Sequence, residues 1–305
     1  TVIGELQADC FAGAWSKHVV RGKDSRLAAS IEDVDRALAG ILSLRDAPGQ
    51  LADDPNAHGS GFDRVGAFQD GFEEGADRCA EFTVGDPKPF QFPFNDDTDI
   101  ASGGDMPLED TAADGPGSGI NSAAFDSLDN FWKLTFPKIS GGKSWKPLND
   151  PVAFGSDDPP TCNGETVTDY GLFLCIPDRY IGFDDETTMP QVYKEGGDFA
   201  VATLYATQYG LEVQQQLGHS PSSEITSTLR GDCYAGSWAA ALIPPDTFDE
   251  EGLVLSPGDL DEAVGVLLSF RSEADRKRQG PGFDRVAAFR RGVLKGPESC
   301  KGIGA

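Results

Sequence analysis

The chain has 305 residues, enough for about two domains, and 39% hydrophobic with 10% aromatic content fits a globular protein with a sizeable core. Fifty acidic against 25 basic residues leave a formal charge of −25. Such a surface repels phosphate backbones and anionic bilayers, which excludes nucleic-acid binding. No apolar run approaches the roughly 20 residues of a membrane span, so no membrane insertion is expected.

Six cysteines with no CxxC and only three histidines read as disulfides, not as a zinc cluster. They imply an extracellular or cell-envelope protein. The chain opens at Thr1 without a Met or a signal-peptide pattern, which reads as a processed or truncated start.

In chain order, Leu6, Cys10, Phe11, Ala14 and Trp15 recur at helical spacing and predict a first amphipathic helix with its aromatics facing inward. A second helix starts at the acidic pair Glu32-Asp33, where carboxylates suit a helix N-terminus. A third follows the glycine-rich turn before Phe62. Residues 80–122 alternate Phe and Pro in KPFQFPF and then carry Asp96, Asp97, Asp99 and Asp105. Residues 81–122 hold nine acids and one lysine, the composition of a solvated linker. The clustered oxygens could hold calcium, although the spacing of a calcium-binding hand is absent. A helix is expected around Phe125–Trp132, strands at Tyr170–Ile176 and Tyr180–Phe183, and a long helix from Asp198 to Gly218. The fold class is mainly α with a small β component.

The last stretch repeats the first. ELQADCFAG (5–13) matches TLRGDCYAG (228–236), EDVDRALAGILSLR (32–45) matches GDLDEAVGVLLSFR (258–271), and GSGFDRVGAF (59–68) matches GPGFDRVAAF (280–289). Each copy closes on a cysteine, so the repeat pairs Cys10 with Cys79 and Cys233 with Cys300, leaving Cys162 with Cys175.

LDNFWKLTF (128–136), GLFLCIPDRYIGFD (171–184), GGDFAVATLYATQYGLEVQQQLG (196–218), GDCYAGSWA (231–239) and GDLDEAV (258–264) together resemble the bacterial neutral zinc metallopeptidase family. The resemblance implies zincin-like units: 1–82 as the C-terminal half of one domain, 83–122 as a linker, and 123–305 as a complete domain. In that family, HExGH puts two zinc-binding histidines on one helical face around a general-base glutamate, and a later ExxxD supplies the third ligand. Here the first segment reads Thr207-Gln208-Tyr209-Gly210-Leu211 and the second runs from Thr228 to Asp232. Both histidine positions, the base and the third ligand are replaced, so zinc and hydrolysis are expected to be lost. The cleft then has the role of a collapsed site or of one that binds peptide without cutting it. The first copy keeps Glu5 and Asp9, and Glu5 becomes a zinc ligand only if an HExGH helix upstream of Thr1 completes it.

No GxSxG elbow, phosphate-binding GxxxxGK[ST] or dinucleotide fingerprint occurs. The sequence therefore points to an inactive metallopeptidase-like protein with a structural, binding or self-assembly role. The half-domain at 1–82 needs a covering surface, from an upstream segment, from residues 123–227, or from a neighbouring chain.

Overall fold

The computed structural model describes residues 1–22, 26–94, 96–219, 222–244, 252–270 and 273–304. The chain opens with α1 (Val2–Val20), α2 (Ile31–Ser43), α3 (Gly61–Glu74), α4 (Ala76–Ala80) and α5 (Asp97–Ser102). After α6 (Ile120–Ile139) come the strands β1 (Val152–Phe154), β2 (Thr161–Cys162), β3 (Glu165–Thr166), β4 (Leu172–Cys175) and β5 (Tyr180–Asp184). The rest is helical: α7 (Thr188–Gly196), α8 (Asp198–Leu217), α9 (Glu224–Ala240), α10 (Asp259–Ser269), α11 (Glu273–Gln279) and α12 (Gly282–Lys295). The fold is mainly α with a small β component, and disulfides join Cys10–Cys79, Cys162–Cys175 and Cys233–Cys300. Two compact units result, residues 1–105 with 256–287, and residues 106–255 with 288–305.

In the first unit, α1 and α3 cross at small residues. A Cβ on Gly13 would strike the Phe68 carbonyl, and one on Gly71 would strike the Cys10 carbonyl. This crossing decides which side of α1 is buried: Val2, Leu6 and Cys10 pack with Ala57, Ala67, Cys79 and Phe82. The inward aromatic face expected from the spacing is therefore corrected. Phe11 is 44% and Trp15 is 55% exposed. Helix α2 starts at a capping box, with Ser30 N–H donating to Asp33 at 2.8 Å and Asp33 N–H donating to Ser30 Oγ at 3.3 Å.

The two copies of the repeat meet inside this unit by exchanging caps. Asp261 on α10 accepts from the N–H groups of Gly61 and Phe62 at 2.9 and 2.7 Å. Its counterpart Asp35 on α2 accepts from Gly282 and Phe283, also at 2.9 and 2.7 Å. Each carboxylate serves the other copy's helix N-terminus, where the orphan donors and the dipole favour it. Part of the half-domain's surface is thus covered by residues of the second copy, a source outside the three expected ones.

Residues 88–94 lie along the same unit instead of running free as a spacer. Phe90 meets Phe62 edge-on with centroids 5.0 Å apart, and Phe90 N–H donates to Asp63 at 2.8 Å. Prolines between the aromatics lower the entropy lost on ordering, so the apolar rings suffice despite the nearby charge.

In the second unit, β5 lies between β1, to which it is parallel, and β4, to which it is antiparallel. The hairpin β2–β3 is tied to β4 by Cys162–Cys175. Helices α6 and α8 enclose an aromatic core in which Phe125 stacks on Tyr205 at 4.5 Å, and Tyr205 donates to Asn121 at 2.8 Å. The glycine crossing recurs: Gly236 faces the Phe289 carbonyl and Gly292 faces that of Cys233. No helix among the described residues is long and apolar enough to cross a membrane.

Candidate functional site

Helix α8 ends at Gly218, left-handed with φ 74°, and α9 begins after Ser223, whose hydroxyl accepts from Thr226 N–H at 3.1 Å. The short connection returns α9 along α8, and they cross where a Cβ on Gly210 would collide with the Gly231 backbone. Thr207, Gly210, Leu211 and Gln214 follow i, i+3, i+4, i+7 and share one helical face. The Thr207 carbonyl and the Leu211 side chain both approach Gly231. Gln214 Nε2 donates to the carbonyls of Gly210 at 3.1 Å and Ser227 at 3.0 Å.

Thr207 and Leu211 are thus brought onto the turn of α9 that carries half-buried Thr228 and fully buried Asp232. The donor chemistry does not fit zinc. Thr207 Oγ1 is buried and donates to the Leu204 carbonyl at 2.7 Å. Gln208 is a neutral amide donating to Thr207 Oγ1 at 3.2 Å. Leu211 offers no donor atom, and Thr228 offers a neutral hydroxyl. Asp232 supplies one carboxylate, where a catalytic zinc wants three imidazole, thiolate or carboxylate ligands.

The equivalent positions of the first copy hold a different cluster. Asp9 receives a fork from Arg64 on α3, Nε at 2.7 Å and Nη2 at 3.2 Å, with both side chains nearly buried. Burial pushes the Asp9 carboxyl above its ordinary value, and the Arg64 hydrogen bonds pull it back. Arg64 Nη1 also donates to the Leu44 carbonyl at 2.7 Å. Glu5 lies 4.0 Å from Arg64 Nη2 and 3.5 Å from His58 Nδ1. Asp46 fixes the His58 loop by accepting from the N–H groups of His58 and Gly59 at 2.9 and 2.7 Å. One imidazole and one carboxylate beside a guanidinium do not make a zinc set either. Arg64 and His58 were not singled out from the sequence, yet the FDRV shared by residues 62–65 and 283–286 was a legible signal for the arginine.

Two carboxylates of the acidic segment accept hydrogen bonds from the chain itself. Asp96 caps α5 by accepting from Thr98 and Asp99 N–H groups at 2.8 and 3.0 Å, and Asp99 accepts from the Ser256 hydroxyl at 3.3 Å. An open cavity of about 620 Å³ sits at the far end of α8. Phe136, Ile176, Lys143, Lys146 and Arg179 help to line it, and Arg179 is held by buried Glu212 at 2.7 Å.

A disulfide-stapled helical unit built on paired ExxxD-type and FDRV-type helices is what the geometry defines. Residues 1–82 match the family described as "Putative neutral zinc metallopeptidase". Uncharacterized protein YpfJ of Escherichia coli K12 is 25% identical over 227 residues, 65% of this chain and 74% of that protein. Uncharacterized protein Rv2575 of Mycobacterium tuberculosis is 28% identical over 130 residues, 38% of this chain and 42% of that protein. No solved structure matches the chain.

Proposed function

We propose that this chain is a non-catalytic relative of the neutral zinc metallopeptidases, acting outside the cytosol in binding or assembly. The observation that carries the reading is the α8–α9 crossing, where a leucine, two threonines and a glutamine stand at the four positions of ligand and base chemistry. Without an ionised or imidazole donor set, no water is activated there. Three disulfides, with no free cysteine among the described residues, support an oxidising compartment.

The test is metal content and peptidase activity of the purified chain after incubation with zinc and dialysis. Well below one zinc per chain and no cleavage of unfolded casein are expected. One zinc per chain with chelator-sensitive cleavage overturns the reading. The second reading, a zinc enzyme completed by an upstream helix, is favoured by the half-exposed Glu5 beside His58. It requires activity of a longer polypeptide to be abolished by Glu5→Ala.

A further inference from the structure

Residues 133–149 hold four lysines and no acid, in a chain where acids outnumber bases two to one. Two of these lysines, Lys143 and Lys146, line the open cavity of about 620 Å³, which lies wholly within the second unit. That volume falls in the range of small-ligand sites. Thr207, Gln208, Leu211 and Thr228 do not line it, so it is a separate place in the fold. The loop carrying the lysines is pinned at several points. Ser140 Oγ donates to the Lys143 carbonyl and accepts from Lys143 N–H, both at 3.1 Å. Trp145, between the two lysines, is buried, donates from Nε1 to Asp129 at 2.9 Å and meets Phe136 edge-on at 5.4 Å. Lys146 N–H donates to Gln216 Oε1 at 3.0 Å, and Gln216 Nε2 donates back to the Lys146 carbonyl at 2.8 Å. Arg179 completes the frame. It ends the connection from β4 to β5 at φ 55°, where a glycine would sit without strain. Its guanidinium donates to buried Glu212 at 2.7 Å and to the carbonyls of Lys146 and Pro147 at 2.8 and 3.0 Å. The strained backbone is kept for a side chain that holds the loop, and Glu212 offsets its charge.

We infer that this cavity binds the C-terminal residue of a polypeptide, with the carboxylate on Lys143 and Lys146 and an apolar last side chain against Ile176 and Pro177. Both lysines are exposed, and among the described residues neither ammonium group has a carboxylate partner. Ile176 is 48% exposed on the cavity wall, an apolar surface beside two cations. The exposed Ser144 hydroxyl and Gln215 amide also line the cavity. They offer donors and an acceptor to the last peptide unit, which an alkyl acid would leave unused. A ligand with one negative charge suits the molecule as a whole, since a charge of −25 repels a polyanion from every other side. Because the loop is already fixed by Ser140, Trp145, Gln216 and Arg179, binding orders little besides the lysine side chains.

The experiment is calorimetric titration of the intact chain, at matched ionic strength, with acetyl-Ala-Ala-Leu, its C-terminal amide, acetyl-Ala-Ala-Gly and decanoate. The expected result is a dissociation constant of about 10 μM to 1 mM for the leucine acid. The amide binds at least about tenfold more weakly through loss of the charge-assisted bonds, and the glycine acid at least about fivefold more weakly through loss of the buried side chain. Lys143→Gln and Lys146→Gln, which keep the backbone bonds of the loop, each weaken the leucine acid by about three- to tenfold. Lys138→Gln, exposed on α6 and outside the cavity, leaves it unchanged. Equal binding of acid and amide, or of leucine and glycine acids, overturns the proposal. So does an equal loss in Lys138→Gln, which would mean diffuse attraction to the lysine-rich segment. Decanoate binding as tightly as the peptide assigns the cavity to an alkyl acid instead, and no heat up to about 5 mM peptide leaves it without this ligand. Because none of the four residues at the α8–α9 crossing lines the cavity, these outcomes do not depend on whether zinc binds there.

Discussion

Arg64 and Asp9 put the largest local stake on a single contact. Both side chains are nearly buried, and the fork leaves little of the carboxylate unbonded. Removing the guanidinium strands a buried charge, so Arg64→Ala is expected to lower stability by about 3–5 kcal/mol, read as a drop in the urea midpoint. Asp184, at the entry to α7, behaves differently with pH. Burial raises its pKa, but the hydroxyls of Thr187 and Thr188 and their N–H groups outweigh it and bring the carboxyl down to about 2. Thr188 donates through Oγ1 at 2.7 Å and through N–H at 3.1 Å. Because the folded value lies below the unfolded one, this stabilisation is complete above the unfolded pKa of 3.8 and is lost as pH falls towards 2. Allowing for solvent screening, it amounts to about 1–2 kcal/mol. Asp184→Asn should therefore flatten the acid limb of a stability–pH curve between about pH 4 and pH 2, and an unchanged limb counts against the assignment.

Helices α1 and α3 owe their approach to Gly13 and Gly71, and their counterparts cross in the same way at Gly236 and Gly292. Gly13→Ala should therefore cost about 1–3 kcal/mol through forced separation of two backbones. Gly40, inside α2 with open space around its Cα, should respond in the opposite sense, with Gly40→Ala adding about 0.5–1 kcal/mol. Urea midpoints of the two variants moving in opposite directions would show that crossing, and not helix propensity, fixes Gly13. The same residues explain what the sequence concealed. Helical periodicity and repeat alignment located α1, α3, α9 and α12, because apolar spacing and turn glycines are local signals. The buried side of α1 was not legible, since both of its faces are apolar and a mid-helix glycine looks only like a weak helix former. The cap exchange of Asp35 and Asp261 was hidden as well, because Asp261 in the first turn of α10 reads as satisfying its own N-terminus and Asp35, one turn into α2, reads as a solvated surface charge. The side-chain chemistry at Thr207, Gln208, Leu211 and Thr228 was readable from residue type alone, whereas the His58–Glu5 contact joins residues 53 apart in sequence and needed the folded loop.

At the scale of the whole molecule, a charge of −25 opposes compaction while the disulfides favour it. Cys10–Cys79 and Cys233–Cys300 close separations of 69 and 67 residues, each contributing about 4 kcal/mol through the unfolded chain. Reduction should therefore expose the electrostatic burden. With thiols reduced, the melting temperature is expected to fall and to become more dependent on ionic strength than in the oxidised protein. Raising salt from 0.01 to about 0.5 M shortens the screening length from about 30 Å to under 8 Å, removing most long-range repulsion. Each kcal/mol of repulsion removed should return about 2–4 °C in a chain with units of this size. Sodium and choline chloride should act alike, because screening depends on ionic strength and not on the cation. Calcium at matched ionic strength should add nothing, since Asp96 and Asp99 already accept hydrogen bonds from the chain. A calcium-specific rise in melting temperature, lost in Asp96→Asn, would instead assign the acidic segment a cation and remove it from the electrostatic burden.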